Sequence, residues 1–242
     1  MASEAEPLEG CSVLLARSRP YGDLAQRVEA LGGVLCAVAV TEQVLEPDAQ
    51  AGLMAALERR GPCLLAVSSA TSAELLRGCS QPAGVVVAAV GAATAAALDQ
   101  VGWWAELLGP APTGASLAEA IVAKGHTSVV VLEAAEAAGG LTGGLVAAGV
   151  EPEVIVGYRT SPRPRASLGR GELEALDRSE VAVVLAGSQV EALRVLGVSP
   201  VLVTVGERAR TRAAQLGYRI ERAVGVGDLE GIVEACCAVA GR

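Results

Sequence analysis

The segment Leu15 to Gly32 aligns with Leu132 to Gly149 without a gap, keeping a helical pattern around Leu24 and Leu141 and a closing glycine. Further pairs extend this self-similarity. Leu64 to Leu76 matches Val183 to Val195, each a β-rich run leading into a helical one, with a serine (Ser69, Ser188) where the strand ends. Val90-Gly91 and Val205-Gly206 each open a helix that closes at a glycine, Gly102 and Gly217. Ser116-Leu117 and Asp228-Leu229 each pair a polar N-cap candidate with an amphipathic pattern. A chain that writes one pattern twice is restricted to building two similar units.

The period within each unit sets the fold class. Short β-rich runs alternate with helical segments, which predicts parallel sheets with crossover helices. Strands are expected near Ser12–Ala16, Val34–Val40, Cys63–Val67, Gly84–Val90, Trp103–Leu108, Ser128–Leu132, Glu151–Val156, Val181–Leu185, Val201–Val205 and Tyr218–Arg222. That is too many for one small doubly wound sheet, so the expectation is two similar flavodoxin-like α/β domains. With no Phe and two Trp in 242 residues, their cores must be aliphatic strands sandwiched by Ala-rich helices.

The breaks suggest that the two units are not consecutive. Tyr158 to Arg165 is rich in proline and charge, and a weaker break falls at Thr41 to Pro47. A Pro-rich run of this kind is expected to act as a connector rather than continue a strand. The expected organisation is therefore an inserted domain over residues 45–156, a discontinuous domain from residues 1–40 plus 165–242, and linkers at 41–44 and 157–164. Two linking strands would join the domains, with a cleft between them.

Composition removes several function classes. The formal charge is −8 and Lys124 is the only lysine, so no basic patch of the kind that binds nucleic acid or anionic lipid is expected. There is no apolar stretch of membrane-spanning length and the first residues are acidic, so a cytoplasmic protein with no membrane partner is expected. The six cysteines are scattered and read as small hydrophobes, with neither metal nor disulfide framework implied. His126, the lone histidine, sits in an expected turn, and no Gly-x-Ser-x-Gly elbow is present. Gly225-Val226-Gly227 lacks the spacing and the following acid of a dinucleotide loop. Gly139-Gly140 and Gly143-Gly144 read as a small-residue helix face packed on a sheet, and Trp103-Trp104 as core or edge.

Polar residues remain at the carboxyl ends of the expected parallel strands, where open α/β sheets bind ligands. These are Ser18-Arg19-Pro20, Ser68-Ser69-Ala70-Thr71, Gly91-Ala92-Ala93-Thr94 and Gly187-Ser188-Gln189. Each alone reads as helix capping, but four of them in two repeated units suggest an anion-binding site. Arginines cluster at Arg17/Arg19, Arg159/Arg163/Arg165 and Arg208/Arg210/Arg212, and arginine grips carboxylates bidentately.

In order and spacing these motifs resemble the uroporphyrinogen-III synthase family. The chain offers Arg19-Pro20, Ser68-Ser69, Gly91 to Ala95 with Gly102, Gly157-Tyr158-Arg159-Thr160, Gly187-Ser188-Gln189 and Gly206 to Gly217. It departs from the family pattern at Glu133-Ala134-Ala135, where Arg-Gly is often found, at Ala209, where a threonine would match Thr94, and at Thr71, in place of an Asn.

The resemblance implies a cofactor-free, monomeric lyase of tetrapyrrole and haem biosynthesis, which closes linear hydroxymethylbilane with inversion of the last pyrrole. Loss of the terminal hydroxyl as water needs a proton donor, and Tyr158 matches the family's tyrosine. The substrate carboxylates would meet backbone N–H groups and hydroxyls at Ser68, Ser69, Thr71, Gly91, Thr94, Ser188, Gln189 and Gly206, with Arg17, Arg19 and Arg208 as charge partners. Acidic residues outnumber basic ones across Thr41 to Thr160, so most positive charge must come from the rest of the chain. A regulatory tetrapyrrole-binding relative and a two-domain small-anion binder stand as alternatives.

Overall fold

The structure is a computed structural model that describes residues 6–137 and 139–241. Its strands are β1 (Ser12–Leu15), β2 (Val34–Ala37), β3 (Thr41–Leu45), β4 (Cys63–Val67), β5 (Val85–Ala89), β6 (Ala105–Leu108), β7 (Val129–Ala134), β8 (Glu153–Pro162), β9 (Val181–Val184), β10 (Val201–Val205) and β11 (Ile220–Val224). The helices are α1 (Leu24–Glu29), α2 (Ala49–Arg60), α3 (Ala70–Ala73), α4 (Ala92–Gln100), α5 (Gly114–Ala123), α6 (Gly140–Ala147), α7 (Arg170–Arg178), α8 (Gly187–Val195), α9 (Glu207–Gln215) and α10 (Leu229–Ala240). The chain divides into two compact units, one of residues 43–160 and one that joins residues 1–42 to 161–242.

The inserted unit is built on a sheet of order β3-β8-β7-β4-β5-β6. Its central strand β4 is buried throughout, which explains its uninterrupted Cys-Leu-Leu-Ala-Val run. Alternation sends Cys63, Leu65 and Val67 to one face, against Leu53, Leu57 and Trp103. Leu64 and Ala66 go to the other, against Leu117, Ile121, Leu141 and Leu145. The Trp103 indole is 1% exposed and donates to the Cys79 carbonyl at 3.0 Å, while Trp104 is exposed. The small-residue face of α6 meets another helix rather than the sheet. A Cβ on Gly144 would lie 2.8 Å from the Ala118 Cβ, and one on Gly114 2.7 Å from the Leu141 nitrogen. Gly here lets α5 and α6 approach closely.

The split unit has the sheet order β11-β10-β9-β1-β2. All the pairings in this sheet are parallel, with Val13 opposite Val181 where β1 meets β9. Val181 and Val183 face Leu24, Val28 and Ile232, and Ala182 and Val184 face Val190, Leu193 and Ala209. Read as β6-β5-β4-β7-β8, the inserted sheet matches the split one strand for strand, with β3 added at its edge. The repeat is thus circularly permuted. In the split unit β1, α1 and β2 occupy the positions held in the other by β7, α6 and β8.

Two linking strands were expected, and Thr41–Leu45 is β3. What is corrected is the expectation that the Pro-rich run would not continue a strand, because β8 runs through Tyr158 to Pro162. A residue preceding proline favours extended backbone, and Pro162 ends the strand, where its missing N–H costs least. The cap of α5 is Thr113, which accepts from the Ser116 N–H at 3.2 Å, while Ser116 accepts from Ala111. Asp228 does cap α10, accepting from Gly231 at 2.9 Å.

The return into the split unit is held by Arg163. Its guanidinium donates to the carbonyls of Ala39 and Ser167 and to Glu172 at 2.8 Å. That guanidinium, with the Gly169 N–H, holds the Glu172 carboxyl below its ordinary range. The cysteines are free thiols, and burial pushes Cys236 up to about 12.

Among the described residues one side-chain polar atom shut off from solvent lacks a partner. Thr204 on β10 is fully buried and its Oγ1 accepts and donates nothing among the described residues. Thr204→Val keeps the shape and removes the orphaned hydroxyl, so it should raise stability by about 1 kcal/mol, a few degrees in Tm. Thermal unfolding checks this, and an unchanged or lower Tm would contradict it.

Candidate active site

In a doubly wound sheet the crevice for ligands lies outside the carboxyl ends of the strands, where the strand order reverses. In the inserted unit, β5 and β6 extend from one side of β4, and β7 and β8 from the other. The reversal falls between β4 and β7. A cavity of about 360 Å³ opens there, lined by Ser68 and Ser69 after β4, Glu133 and Glu136 from β7 and its loop, and Tyr158 and Thr160 on β8.

Local bonds fix this lining. Ser68 donates its hydroxyl and its N–H to the Leu132 carbonyl, both at 3.1 Å, which ties the ends of β4 and β7 together. Ser69 caps α3, accepting from Ser72 at 3.2 Å. The Ala135 N–H donates to the Tyr158 carbonyl at 2.8 Å, and the Thr160 N–H to Glu136 at 3.2 Å, so the loop after β7 is clipped to β8. Tyr158 is 7% exposed. Its phenol makes no hydrogen bond among the described residues, and the residue is part of the cavity lining. Glu133 is 9% exposed, and its Oε1 accepts from the Thr142 hydroxyl at 3.1 Å.

The other residues singled out in this unit lie outside the lining. Gly91 caps α4 on the neighbouring strand β5. Thr94, one turn into α4, is buried. Ala209, its counterpart in the repeat, is fully buried too, so the absence of threonine there changes core packing. Thr71 turns its hydroxyl to Gln43.

In the split unit the reversal falls between β1 and β9. Arg17 and Arg19 follow β1, Ser188 and Gln189 open α8 after β9, and Gly206 and Arg208 follow β10, so the carboxyl ends of three adjacent strands carry them. Gly206 has φ +82°, in the left-handed region, where a side chain would be strained. The Gln189 side chain accepts from the Leu185 N–H at 2.7 Å and so closes the end of β9. Tyr21 accepts from the Gly227 N–H at 2.8 Å and pins the loop after β11 to the loop after β1.

The arginine clusters separate by pairing. Arg159 grips Glu46 bidentately at 2.7 and 2.6 Å. Arg163 holds Glu172, Arg165 holds Asp177, Arg210 holds Glu207 and Arg212 holds Glu191. Among the described residues Arg17, Arg19 and Arg208 have no carboxylate partner.

Superposing the repeat sets Leu15 on Leu132, and therefore Ala16 on Glu133 and Arg19 on Glu136. The equivalent edge is basic in one unit and acidic in the other. The first suits carboxylates; the second, with no cationic side chain in its lining, suits hydrogen-bond donors or positive charge. Glu133, Glu136 and Thr160 are polar lining residues that were not among the site residues expected from the sequence. The signals for Glu133 were its departure from the family pattern and a charge closing the otherwise apolar run Val129–Leu132. No group of His, Cys, Asp or Glu among the described residues is placed to hold a metal, and no described helix is long and apolar enough to cross a membrane.

A family model described as uroporphyrinogen-III synthase HemD matches residues 22–235. No curated protein matches the chain. Among solved structures, the uroporphyrinogen-III synthetase of Helicobacter pylori aligns with a TM-score of 0.56 at 16% identity, over 95% of this chain and 98% of that one. A mutant uroporphyrinogen III synthase of Thermus thermophilus aligns with a TM-score of 0.48 at 17% identity, over 93% and 98%. With the model spanning most of its length and the two-sheet fold shared, the chain belongs to the uroporphyrinogen-III synthase family.

Proposed function

We propose that this chain closes hydroxymethylbilane to uroporphyrinogen III as a cofactor-free lyase, with Tyr158 as the acid. The observation that carries the assignment of the acid is the free Tyr158 phenol, held on β8 at the rim of a cavity and committed to no other bond among the described residues. When the terminal C–O bond breaks, the oxygen leaves with the bonding electrons and takes the phenolic proton to depart as water. The electron-rich pyrrole delocalises the positive charge left on carbon. The remaining task is positional, because the flexible chain must close with inversion before it closes spontaneously without it.

Arg17, Arg19 and Arg208 are proposed to take substrate carboxylates, because among the described residues they alone of the three clusters lack carboxylate partners. Ser68 and Ser69 contribute to the cavity, and Thr71, Gly91, Thr94, Ser188, Gln189 and Gly206 stand at neighbouring strand ends as further contacts or as their supports. We read the site as working without metal or cofactor, in the cytoplasm, on a monomer. Nothing in the site favours the regulatory relative or the small-anion binder.

The direct test supplies purified protein with enzymatically generated hydroxymethylbilane and resolves type III from type I product. Type III at an accelerated rate is expected; type I alone, at the spontaneous rate, would sink the synthase reading. Tyr158→Phe should lower kcat on the order of 100-fold with little change in KM. Full activity in that variant would reduce Tyr158 to a packing residue. Arg19→Gln should instead raise KM severalfold while leaving kcat within about twofold, as expected for a contact made equally before and during reaction. A fall in kcat with KM unchanged would contradict that role.

A further inference from the structure

Glu133, at 9% exposed, is the one Asp, Glu, Lys or Arg among the described residues that counts as buried. A buried carboxylate is costly unless it is paired. Here no guanidinium or ammonium pairs with it: its bond is to the neutral Thr142 hydroxyl on Oε1, and Oε2 has no partner among the described residues. The fold does not require the charge. At the equivalent place in the other unit, at the same end of the matching strand, stands Ala16, 1% exposed. The same architecture is therefore built with a methyl group where this unit keeps an acid.

Its position says what the acid is for. Glu133 lies on β7 and Tyr158 on the adjacent β8, where Ala134 is opposite Tyr158 across a register shift. Both line the cavity at the strand-order reversal. Thr142, on α6 behind the strand, holds one carboxylate oxygen, which fixes the rotamer and leaves the other free for the cavity. An ionised carboxylate only accepts hydrogen bonds, so the complementary group is an N–H donor or a cation. A second substrate carboxylate is the least suitable occupant.

We infer that Glu133 is a catalytic residue of this site, accepting the N–H of the pyrrole ring from which water departs and stabilising the positive charge that forms there. The inference rests on the synthase reading and deepens it. As the C–O bond breaks, the leaving oxygen takes the proton of the Tyr158 phenol and the ring becomes an azafulvenium cation, its charge shared with the pyrrole nitrogen. The N–H of that cation is a stronger donor than that of the neutral pyrrole. A carboxylate fixed beside it therefore binds the transition state more tightly than the substrate, which is the condition for raising kcat. Phenol and carboxylate act on opposite ends of one elimination, one supplying a proton to oxygen, the other meeting the charge on nitrogen.

The test compares wild type, Glu133→Gln and Glu133→Ala by initial rates with enzymatically generated hydroxymethylbilane, product isomer ratio and thermal unfolding. Glu133→Gln keeps shape and an acceptor oxygen but not the charge. The expected result is a fall in kcat of at least about tenfold, KM within about threefold and no loss of melting temperature. Glu133→Ala, which places in this unit the residue the other unit already carries, should fold and fall at least as far. If wild type makes type III and Glu133→Gln keeps kcat within about twofold, or loses activity only through KM or only with its fold, the Glu133 role is overturned while the synthase reading stands. If wild type makes only type I at the spontaneous rate, the synthase reading falls and this inference with it.

Discussion

Both faces of each sheet are covered, and this decides where anything polar can go. β4 and β9 are buried from end to end, so their side chains are apolar, and a functional group placed along them would be cut off from solvent and ligand. Chemistry is confined to the carboxyl edges, where each strand hands over to its helix. Within those edges the order reversal leaves one gap per sheet that no crossover helix fills. The serines after β4 and β9, the arginines after β1 and the carboxylates after β7 stand where the fold leaves room for them.

The two edges are built on one plan and carry opposite charge. Arg19 and Glu136 occupy equivalent positions, as do Ala16 and Glu133. In an acidic chain, most of the clustered arginines are committed to carboxylates that pin loops and helices, Arg159 to Glu46 and Arg165 to Asp177 among them. Those without such partners therefore stand out more than the net charge suggests. Under the proposed function, each edge taken by itself suits one part of the chemistry: guanidiniums suit carboxylates, and an acceptor-lined cavity suits a ring that must lose water and become positive.

Much of this was legible in the sequence because it depends on burial. A parallel strand covered on both sides reads as a mostly aliphatic run, and the runs at Cys63–Val67, Val181–Val184 and Val201–Val205 could be placed from that alone. The repeat was legible for the same reason, since it preserves the core. Glu133 was legible only as a departure from the family pattern, because comparison of repeats brings out what two copies share, whereas Glu133 is where they differ. The clusters of arginine hid a distinction that depends on partners far along the chain, such as Glu46 for Arg159. Pro162 disguised the length of β8, since a proline at the final position of a strand leaves the same trace as one in a loop. Thr113 and Ser116 are both competent caps three residues apart, and only the path of the preceding loop selects between them.

The permutation of the split unit also orders events during synthesis. Its strand β1 pairs with β9 through Val13 and Val181, so the central part of that sheet cannot form until residues far downstream have left the ribosome. The inserted unit has no such wait, because all its strands lie between Thr41 and Pro162. The nascent chain therefore carries β1, α1 and β2 as an incomplete half-layer, with Val13, Leu15 and Leu24 lacking part of their core, while the middle of the protein is already able to close. Sequence-distant pairing of this kind slows folding and lengthens the time for which apolar surface is open to chaperones or to a second chain.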